Sequence, residues 1–539
     1  MKDFLAKRTK CLLVQPKFST FSFWNYDEVC RILGAKYPNP PLGLMTVAAL
    51  LPQQWEFKLV DENVEPLLDE HLEWADITGT GGMLAQQLGA LSLIERAHHS
   101  GCPVVVGGPD PTSQPHVYQS ADYLVLGEGE VTIPMFLADL GKGCKSGEYS
   151  LLERADMTKS VVPRFDLIRF RDYVSIGIQY SRGCPFNCEF CDIIELYGRK
   201  QRTKTPEHII GEFQSLHSLG YRGQIFFVDD NFIGSKPEVK KFLHVIREWS
   251  EANSFPFFFA TQTCLDLADD DDLLQMMRDV DFRFVFIGIE SPEDRVLVSA
   301  QKPQNINKSI PDAIRKIYSY GMTVNAGFII GFDNESDRTA EEMIRCIQDS
   351  GISIAMVGLL SAPSNTQLGR RLKGEGRLFE KAAIQTDAHV GIDQMTGGLN
   401  FMPTRPRLDV LKDFVQVLEH VYDPKNYHTR VTYTGLHVKP ANKYKPGIVE
   451  RVRSLKPFLK VCYKLGCKKT TGWLYWKMFL TVLFKNPGGI EAAIIMATMY
   501  LHFQKQSKFI IDFTKQKIND IERYGEENYV ASLFEPGSS

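Results

Sequence analysis

Residues 181–191 read Ser-Arg-Gly-Cys-Pro-Phe-Asn-Cys-Glu-Phe-Cys and place Cys184, Cys188 and Cys191 at C-x3-C-x2-C spacing. The segment directly follows the apolar, strand-like residues 174–180, so the three cysteines are predicted to share one loop after a strand. Three thiolates on one short loop can bind three irons of a four-iron, four-sulfur cluster. The fourth iron then lacks a protein ligand and can bind a small chelating molecule, which indicates catalysis at the cluster.

Chance and a structural zinc site are the two simpler explanations of these cysteines. Only 11 of 539 residues are cysteine, so chance rarely produces three at this spacing. A structural zinc ion needs four closely spaced ligands, and the nearest histidines, His208 and His217, fall in a segment with helical periodicity. The sequence therefore favours a cluster, for which the three cysteines are both metal ligands and catalytic residues.

Length and composition indicate a folded protein of several domains. The chain has 539 residues, 44% hydrophobic and 24% charged, and this length predicts three domains. The net charge of −3 argues against nucleic acid as a partner. Eleven cysteines, an odd and partly clustered set, fit a reducing compartment with a metal site. Residues 1–4 lead almost directly into an apolar strand without a signal-peptide pattern, so the cytoplasm is the expected location.

Residues 1–150 alternate between apolar strands and helices. Strand-like runs lie at residues 11–14, 57–61, 77–82, 104–108 and 123–127. This rhythm predicts an α/β domain of the Rossmann-like (flavodoxin-like) kind, with a doubly wound parallel sheet of about five strands. Two of the strands are followed by Gly79, Gly81, Gly107 and Gly108. These glycines either leave room for a flat ligand at the strand ends or serve the turns alone.

Residues 165–365 repeat strand and helix six times, which predicts a partial (β/α)6 barrel of the TIM type. Such barrels place their chemistry at the carboxyl ends of the strands. Polar residues fall at these ends: the cysteine loop after the first strand, Asp229, Asp230 and Asn231 after the second, Gln262 after the third and Glu290 after the fourth. The alternative for the Asp-Asp-Asn run is that it caps the following helix.

Residues 366–539 lose the strand rhythm and are predicted to be mostly helical. Between residues 431 and 490 the sequence has twelve Lys or Arg and a single acidic residue, Glu450. The apolar segments 473–484 and 490–503 are too short for transmembrane helices. Two interpretations stay open: peripheral contact of the basic region with an anionic membrane surface, or a helical cap on the barrel with a solvated charged face.

The cysteine loop closely resembles that of radical S-adenosylmethionine (SAM) enzymes in its spacing, in Arg182-Gly183 before the first cysteine and in Phe190 before the third. The resemblance implies that SAM chelates the open iron and that the reduced cluster cleaves SAM to methionine and a 5′-deoxyadenosyl radical. It also implies that Phe190 lies against the adenine and that residues 229–231 contact the amino group of SAM. Gln262 and Glu290 would lie near its carboxylate or ribose.

The first domain resembles the cobalamin-binding domain of cobalamin-dependent radical SAM enzymes. The matching segments are residues 40–44, 107–109 and 127–130, with the sequences Pro-Pro-Leu-Gly-Leu, Gly-Gly-Pro and Gly-Glu-Gly-Glu. The resemblance implies cobalamin contacts at Gly79, Gly81, Gly107 and Gly108. Residues 15–33 contain no histidine for the usual DxHxxG motif, and Asp110 stands where many relatives have a histidine. Bound cobalamin would thus lack a histidine ligand; a flavodoxin-like domain without cofactor is the alternative.

The order of the three regions resembles that of enzymes that methylate unactivated carbon, including hopanoid and bacteriochlorophyll methylases. The resemblance implies a [4Fe-4S] cluster, SAM and cobalamin as cofactors, and a small-molecule substrate of the lipid, isoprenoid or tetrapyrrole type. It implies that SAM is used twice, as the methyl source for cobalamin and as the source of the radical. An electron donor such as flavodoxin or ferredoxin would reduce the cluster.

Two other functions stay open from the sequence. A radical cobalamin enzyme without methyl transfer, such as an oxidative cyclase or a ring-rearranging enzyme, would carry the same domains. A non-catalytic iron–sulfur and cobalamin sensor would also keep the motifs. Methylthiotransfer is disfavoured because the first domain has no second three-cysteine set: its cysteines at positions 11, 30, 102 and 144 are scattered.

Overall fold

The computed structural model describes residues 8–18, 21–23, 25–379 and 398–532. Two six-stranded parallel sheets follow each other along the chain, and a set of helices follows the second sheet. The fold class predicted from the sequence is therefore confirmed. Residues 1–4, on which the expected absence of a signal peptide rests, lie outside the described residues, as do residues 380–397 and 533–539 of the third region.

The first sheet is doubly wound. Its strands are β1 (Lys10–Gln15), β2 (Glu56–Asp61), β3 (Ile77–Gly81), β4 (Val104–Gly107), β5 (Tyr123–Val125) and β6 (Gly147–Tyr149), in the order β2-β1-β3-β4-β5-β6. Its helices are α1 (Asp27–Leu33), α2 (Leu42–Leu50), α3 (Asp69–Trp74), α4 (Gln87–His99), α5 (Pro109–Ser113) and α6 (Gly129–Gly141). All strand pairs are parallel, and the order reverses between β1 and β3, where doubly wound sheets bind ligands.

Strand β1 shows why this sheet is covered on both faces. Leu12 and Val14 pack into one hydrophobic cluster, while Cys11 and Leu13 on the opposite face pack into another. A strand that is apolar on both faces is typical of parallel sheets with helices on each side. The edge strand β6 is a sixth strand where the sequence predicts about five, because three residues with a central glutamate carry no strand signal.

The second sheet is an open, partial barrel. Eight strands lie in this part of the chain: β7 (Ile176–Ile178), β8 (Ser181–Arg182), β9 (Arg202–Thr203), β10 (Gly223–Phe227), β11 (Phe257–Thr263), β12 (Phe282–Glu290), β13 (Thr323–Ile330) and β14 (Ala355–Leu359). Six of them form the parallel sheet β7-β10-β11-β12-β13-β14, whose edges β7 and β14 leave one side open, as predicted. The other two, β8 and β9, form an antiparallel ribbon around the cysteine loop that the sequence does not predict.

The helices of the barrel lie between its strands. They are α7 (Ile193–Tyr197), α8 (Pro206–Ser218), α9 (Lys236–Ala252), α10 (Asp271–Asp279), α11 (Asp294–Ser299), α12 (Ile310–Ser319) and α13 (Thr339–Ser350). Both histidines considered as zinc ligands, His208 and His217, belong to α8, as their periodicity predicts.

The third region is helical, as predicted. Its described helices are α14 (Gln367–Gly374), α15 (Arg407–Val421), α16 (Pro424–His437), α17 (Ile448–Gly466), α18 (Gly472–Lys485), α19 (Ile490–Tyr524) and α20 (Glu526–Ser532). The second apolar segment of the sequence is only the first part of α19, which extends over 35 residues. Among the helices that the structure describes, none is both long and apolar enough to cross a membrane.

A buried arginine attaches this helical region to the barrel. Arg430 in α16 donates hydrogen bonds to the carbonyl oxygens of Ile352 (2.7 Å) and Val421 (2.6 Å) and to Gln348 Oε1 (2.9 Å). Burial lowers the pKa of Arg430 to about 10, and the three acceptors compensate for its lost hydration. Specific polar contacts therefore fix α16 against the barrel in addition to apolar packing.

Replacing Gly81 by alanine is expected to destabilise the first domain. A Cβ atom on Gly81 would overlap the carbonyl oxygen of Gly107 on the neighbouring strand β4. Because such crowding costs about 1–3 kcal/mol, Gly81→Ala should lower the free energy of unfolding, measured by chemical denaturation, by that amount. Gly43→Ala is the matched control, since no atom lies within 4 Å of a Cβ atom placed at Gly43 in α2. Equal stability of the two variants would contradict the prediction.

Candidate active site

A glycine fixes the start of the cysteine loop. Gly183 has a φ of +87°, and a Cβ atom there would lie 2.8 Å from the carbonyl oxygen of Lys200 and 2.9 Å from that of Gly198. Both the dihedral angle and the lack of space require glycine at this position. The Cys184 amide donates to the Gly198 carbonyl oxygen at 3.3 Å, which sets the main chain at the first cysteine.

Two aspartates after β10 hold the main chain that leads into the loop. Asp229 accepts hydrogen bonds from the Tyr180 amide (2.8 Å) and the Ser181 hydroxyl (2.5 Å), and Asp230 accepts one from the Gly183 amide (3.0 Å). Burial raises the pKa of Asp229 to about 7 and that of Asp230 to about 6. Helix α9 begins further along the chain, so the helix-cap alternative does not hold for these two carboxylates. Their predicted contact with SAM stays a prediction.

The middle of the cysteine loop is held by contacts to α14 and to the residue that follows α11. Glu189, which precedes Phe190, forms a two-point ion pair with Arg371 of α14, at 2.8 and 3.0 Å. The Glu189 amide also donates to the carbonyl oxygen of Ala300 at 3.1 Å. The loop is therefore held by the strand ends on one side and by α14 on the other.

The three thiols of the loop differ in exposure: Cys188 is buried, whereas Cys184 and Cys191 are partly exposed. Burial raises the pKa of Cys184 and Cys188 above the ordinary thiol value, and that of Cys191 well above it. The ammonium of Lys302 opposes this increase at Cys184 and Cys188. Thiols with raised pKa values ionise when a metal supplies the compensating positive charge, so their surroundings fit an iron–sulfur cluster.

The described residues do not form a site for a single metal ion. No three His, Cys, Asp or Glu side chains within the described ranges converge closely enough to hold one metal ion. A four-iron cluster does not require such convergence, because each cysteine binds a different iron and the sulfur atoms stay apart. Three cysteines on one firmly held loop meet the requirement of the cluster.

A buried ion pair between Glu290 and Lys302 lies beside the cysteines. Lys302 Nζ donates to Glu290 Oε1 at 2.7 Å, and about nine-tenths of each side chain is buried. Glu290 has a φ of +67°, and a Cβ atom on Gly288 would overlap its carboxylate. Gln304 donates to the sulfur of Cys188 at 3.8 Å. The sequence carries no signal for Lys302 or Gln304, because both lie in a loop that follows α11 rather than a strand.

Phe190 belongs to the same group of side chains. Its ring centroid lies 6.0 Å from Lys302 Nζ and 5.5 Å from the ring centroid of Phe332. The structure thus brings Phe190, Glu290 and the cysteine loop together around Lys302.

Cys264, directly after β11, is a further neighbour of Lys302 that the sequence did not single out. Burial raises the pKa of the Cys264 thiol, and the ammonium of Lys302 opposes the increase.

Several buried polar atoms around these strand ends have no hydrogen-bond partner in the part of the chain that the structure describes. They are both side-chain amide atoms of Asn231, Thr263 Oγ1, Gln304 Oε1 and Ser361 Oγ. Because buried polar groups are nearly always hydrogen-bonded, these atoms fit a polar ligand such as SAM. Gln262 uses its main-chain carbonyl for the Phe232 amide at 2.9 Å, and its side-chain role stays a prediction.

The four glycines assigned to cobalamin have structural contacts of their own, and Gly79 lies in the middle of β3 rather than after it. A Cβ atom on Gly79 would lie 2.8 Å from Leu13 Cδ2, and one on Gly107 would lie 2.6 Å from the Val125 carbonyl oxygen. Gly108 has a φ of +101°. Close packing of the strands and turns therefore disfavours a side chain at these positions, with or without a ligand. No side chain at these four positions blocks the approach of a flat cofactor, so the residues fit cobalamin, and each glycine's contact with it stays a prediction.

Asp110 serves the internal structure of this domain. Its buried carboxylate accepts hydrogen bonds from the Tyr118 hydroxyl (2.5 Å), Gln87 Nε2 (3.0 Å) and Gln114 Nε2 (2.9 Å). These donors use both carboxylate oxygens, and they join α4, α5 and the turn that follows. The position at which many relatives carry a histidine is thus a structural carboxylate in this chain.

Four residues form an inter-domain ion cluster: Arg182, Arg202, Glu128 and Glu130. Arg182 donates to Glu130 at 2.7 and 2.9 Å and to Glu128 at 2.9 Å, and Arg202 donates to both oxygens of Glu128 at 2.8 and 2.9 Å. Although burial opposes ionisation of Glu130, the Arg182 guanidinium holds the pKa of this carboxyl below its usual range.

The inter-domain ion cluster couples the first domain to the cysteine loop. Glu128 directly precedes α6 and Glu130 lies in the first turn of this helix, while Arg182 stands two residues before Cys184. The side chain of Glu128 is 1% exposed and that of Arg182 12%, so solvent screens their attraction little. The sequence shows both segments as separate motifs but does not reveal that they pair.

Three domain models match this chain. The radical SAM superfamily model matches residues 178–347, the B12 binding domain model residues 30–137, and a domain of unknown function, DUF4070, residues 366–515. A radical SAM domain uses a [4Fe-4S] cluster and SAM, and a B12 binding domain binds cobalamin. The three predicted cofactors and the predicted resemblance are therefore confirmed.

A solved structure shares the whole architecture. The chain is similar to the cobalamin-dependent S-adenosylmethionine radical enzyme OxsB with aqua-cobalamin bound, with a TM-score of 0.58 and 17% sequence identity. The similarity covers 98% of this chain and 84% of the OxsB chain. At this identity the comparison supports the fold alone.

Two curated relatives match along nearly the whole chain. An uncharacterized methyltransferase of Synechocystis sp. is 38% identical over 518 residues, which are 95% of this chain and 94% of that protein. The hopanoid C-2 methylase of Rhodopseudomonas palustris is 32% identical over 511 residues, which are 92% of this chain and 93% of that protein. The chain belongs to the family of cobalamin-dependent radical SAM methyltransferases that includes this hopanoid C-2 methylase.

Proposed function

We propose that this enzyme methylates an unactivated carbon of a polycyclic isoprenoid lipid of the hopanoid type. The observation that carries the proposal is the extent of its similarity to the hopanoid C-2 methylase, which covers 92% of the chain. Similarity of this extent includes the helical third region and not only the two cofactor domains, which enzymes with other substrates share. A tetrapyrrole, the other substrate type that the sequence suggests, is the competing assignment.

Three sets of residues would hold the cofactors. Cys184, Cys188 and Cys191 would bind three irons of the cluster. The residues assigned to SAM are Phe190, Asp229, Asp230, Asn231, Gln262 and Glu290, and those assigned to cobalamin are Gly79, Gly81, Gly107 and Gly108. When bound, the cluster with SAM supplies a radical that removes hydrogen from carbon, and cobalamin supplies the methyl group.

The chain's own residues position these groups and exclude water. Asp229 and Asp230 hold the main chain before Cys184, and Glu189 holds the loop from the opposite side. The inter-domain ion cluster keeps the cysteine loop and the first domain at one separation. Such precision matters because a misplacement of about 1 Å can cost roughly 100-fold in rate.

The proposed domain limits are residues 1–150 for the cobalamin-binding domain, 165–365 for the radical SAM barrel and 366–539 for the third region. A one-electron donor such as flavodoxin or ferredoxin would reduce the cluster. The basic third region would contact a membrane surface, where a polycyclic lipid substrate resides.

The substrate assignment predicts a labelled lipid product. The protein is reconstituted anaerobically with iron, sulfide and hydroxocobalamin and supplied with a reductant and SAM labelled in its methyl group. A hopanoid should gain the labelled methyl group, detected by mass spectrometry, while a chlorophyllide offered in parallel should not. Label in the chlorophyllide alone would favour the tetrapyrrole assignment. 5′-Deoxyadenosine without label in either compound would refute both substrate assignments.

Each cysteine of the loop is expected to be necessary for SAM cleavage. Cys184→Ala, Cys188→Ala and Cys191→Ala each remove one iron ligand and should abolish 5′-deoxyadenosine formation, measured by chromatography after anaerobic reconstitution. Cys144→Ala is the control, since this cysteine is exposed and lies in the first domain. It should keep the iron content and activity of the unaltered protein. Continued SAM cleavage by any of the three loop variants would refute the cluster assignment.

Loosening the inter-domain ion cluster is expected to uncouple SAM cleavage from methyl transfer. Arg182→Lys keeps the positive charge but loses the two-point pairing with Glu130, so the separation of the two domains becomes less fixed. Methyl transfer should fall by about 10- to 100-fold, while 5′-deoxyadenosine formation falls much less. Arg247→Lys is the control, because its pair with Glu251 lies on the exposed surface of α9. The measurement is the ratio of 5′-deoxyadenosine to methylated product, and an unchanged ratio in Arg182→Lys would argue against the coupling.

A further inference from the structure

Helix α17 carries an exposed row of apolar side chains. The row consists of Ile448, Val452, Leu455, Leu459 and Tyr463, which are between 57% and 81% exposed. Their spacing of three or four residues places them along one side of the helix. Another side of α17 is packed, since Val461 and Leu465 are buried. The exposed row is therefore additional to the apolar face that holds α17 in the fold.

Helix α18, which packs against α17, also carries exposed apolar side chains. Its exposed members are Trp473, Trp476, Leu480, Leu483 and Phe484, between 37% and 79% exposed. The two helices contact each other: the ring centroids of Phe458 and Phe479 lie 6.0 Å apart, and Trp476 Nε1 donates to the carbonyl oxygen of Gly466 at 3.2 Å. We name the ten exposed residues of α17 and α18 the apolar stripe. So large a set of exposed aromatic and aliphatic side chains marks an interaction surface.

A row of basic side chains runs beside the apolar stripe. Each basic residue directly follows a stripe residue: Arg453, Lys456, Lys460 and Lys464. The basic row therefore lies about 100° around the helix from the apolar row. Of these four, only Lys464 forms an ion pair with a residue in the described ranges, to Glu28 at 2.7 Å. Lys468, Lys469, Lys477 and Lys485 are exposed in the adjoining loop and on α18.

We propose that the apolar stripe docks on the surface of an anionic lipid bilayer, with α17 and α18 lying in the interface. Leucine, tryptophan and phenylalanine side chains would enter the boundary between headgroups and acyl chains, and the basic row would contact lipid phosphates. Tryptophan and tyrosine favour this depth because each has an apolar ring and a polar group. The inference rests on the proposed membrane contact of the third region and assigns it to these residues.

A second copy of this chain fits the surface less well. Two such surfaces packed face to face would bring together the basic rows of both copies, and residues 431–490 hold only one acidic residue against twelve basic ones. Like charges at an interface oppose association. Lipid phosphates supply the missing negative charge, so charge complementarity favours the bilayer.

Vesicle co-sedimentation of the full chain tests the proposal. The protein should bind vesicles of phosphatidylcholine with phosphatidylglycerol, and bind vesicles of phosphatidylcholine alone at least tenfold more weakly. Lys456→Gln with Lys460→Gln should weaken binding to the anionic vesicles by about 30-fold. Leu455→Ser with Leu459→Ser should weaken it by at least about tenfold. The controls are Lys241→Gln on α9 and Leu152→Ser, which alter exposed side chains outside the surface and should not change binding.

Two results would overturn the proposal. The first is equal binding of the unaltered protein and the Leu455→Ser, Leu459→Ser variant to anionic vesicles, or no binding at all. The second is a dimer in analytical ultracentrifugation that this variant abolishes while vesicle binding persists, which would assign the stripe to a second copy. Formation of 5′-deoxyadenosine by the reconstituted variants should stay unchanged. This readout separates a failed membrane contact from a failed enzyme assignment, because SAM cleavage does not require the stripe.

Discussion

The pairing of Arg182 with Glu128 and Glu130 is the interaction on which the arrangement of the cofactor domains depends. Two carboxylates at the start of α6 meet a guanidinium two residues before the first cysteine, in a setting almost closed to solvent. Removing one member of a buried ion pair leaves the other charge uncompensated, which costs about 3–5 kcal/mol. The folded protein is therefore strongly biased towards one separation of the cysteine loop and the first domain. A reaction shared between two cofactors needs such a fixed separation.

Main-chain hydrogen bonding provides the second constraint. The carboxylates of Asp229 and Asp230 accept amide protons of residues that lead into the loop, and Gly183 fits where no other residue could. The acidic residues at this strand end thus have a structural role beside the ligand contact that the sequence predicts. The glycines of the first domain also have a structural role, because atoms of neighbouring strands lie where their side chains would be.

One part of the third region is fixed to the barrel, and another part carries exposed apolar side chains. Arg430 binds α16 to the barrel through the Ile352 carbonyl and the Gln348 amide oxygen, whereas α17 and α18 present ten apolar side chains to solvent beside a basic row. The region packs on the barrel through α15 and α16, and its contact with a membrane stays a proposal. Its chemistry suits an enzyme whose substrate is a membrane lipid.

The sequence by itself determined the features that depend on local pattern. Cysteine spacing predicted the cluster loop, and the alternation of apolar strands with helices predicted both parallel sheets, because side-chain periodicity is set by neighbours along the chain. Features that depend on distant residues needed the tertiary structure. Arg182 meets Glu130 across 52 positions, Lys302 reaches Glu290 from a loop without a motif, and β6, β8 and β9 are too short to show periodicity. The sequence likewise showed that residues 431–490 are basic, but only the packed fold decided which apolar side chains of α17 are covered and which remain exposed.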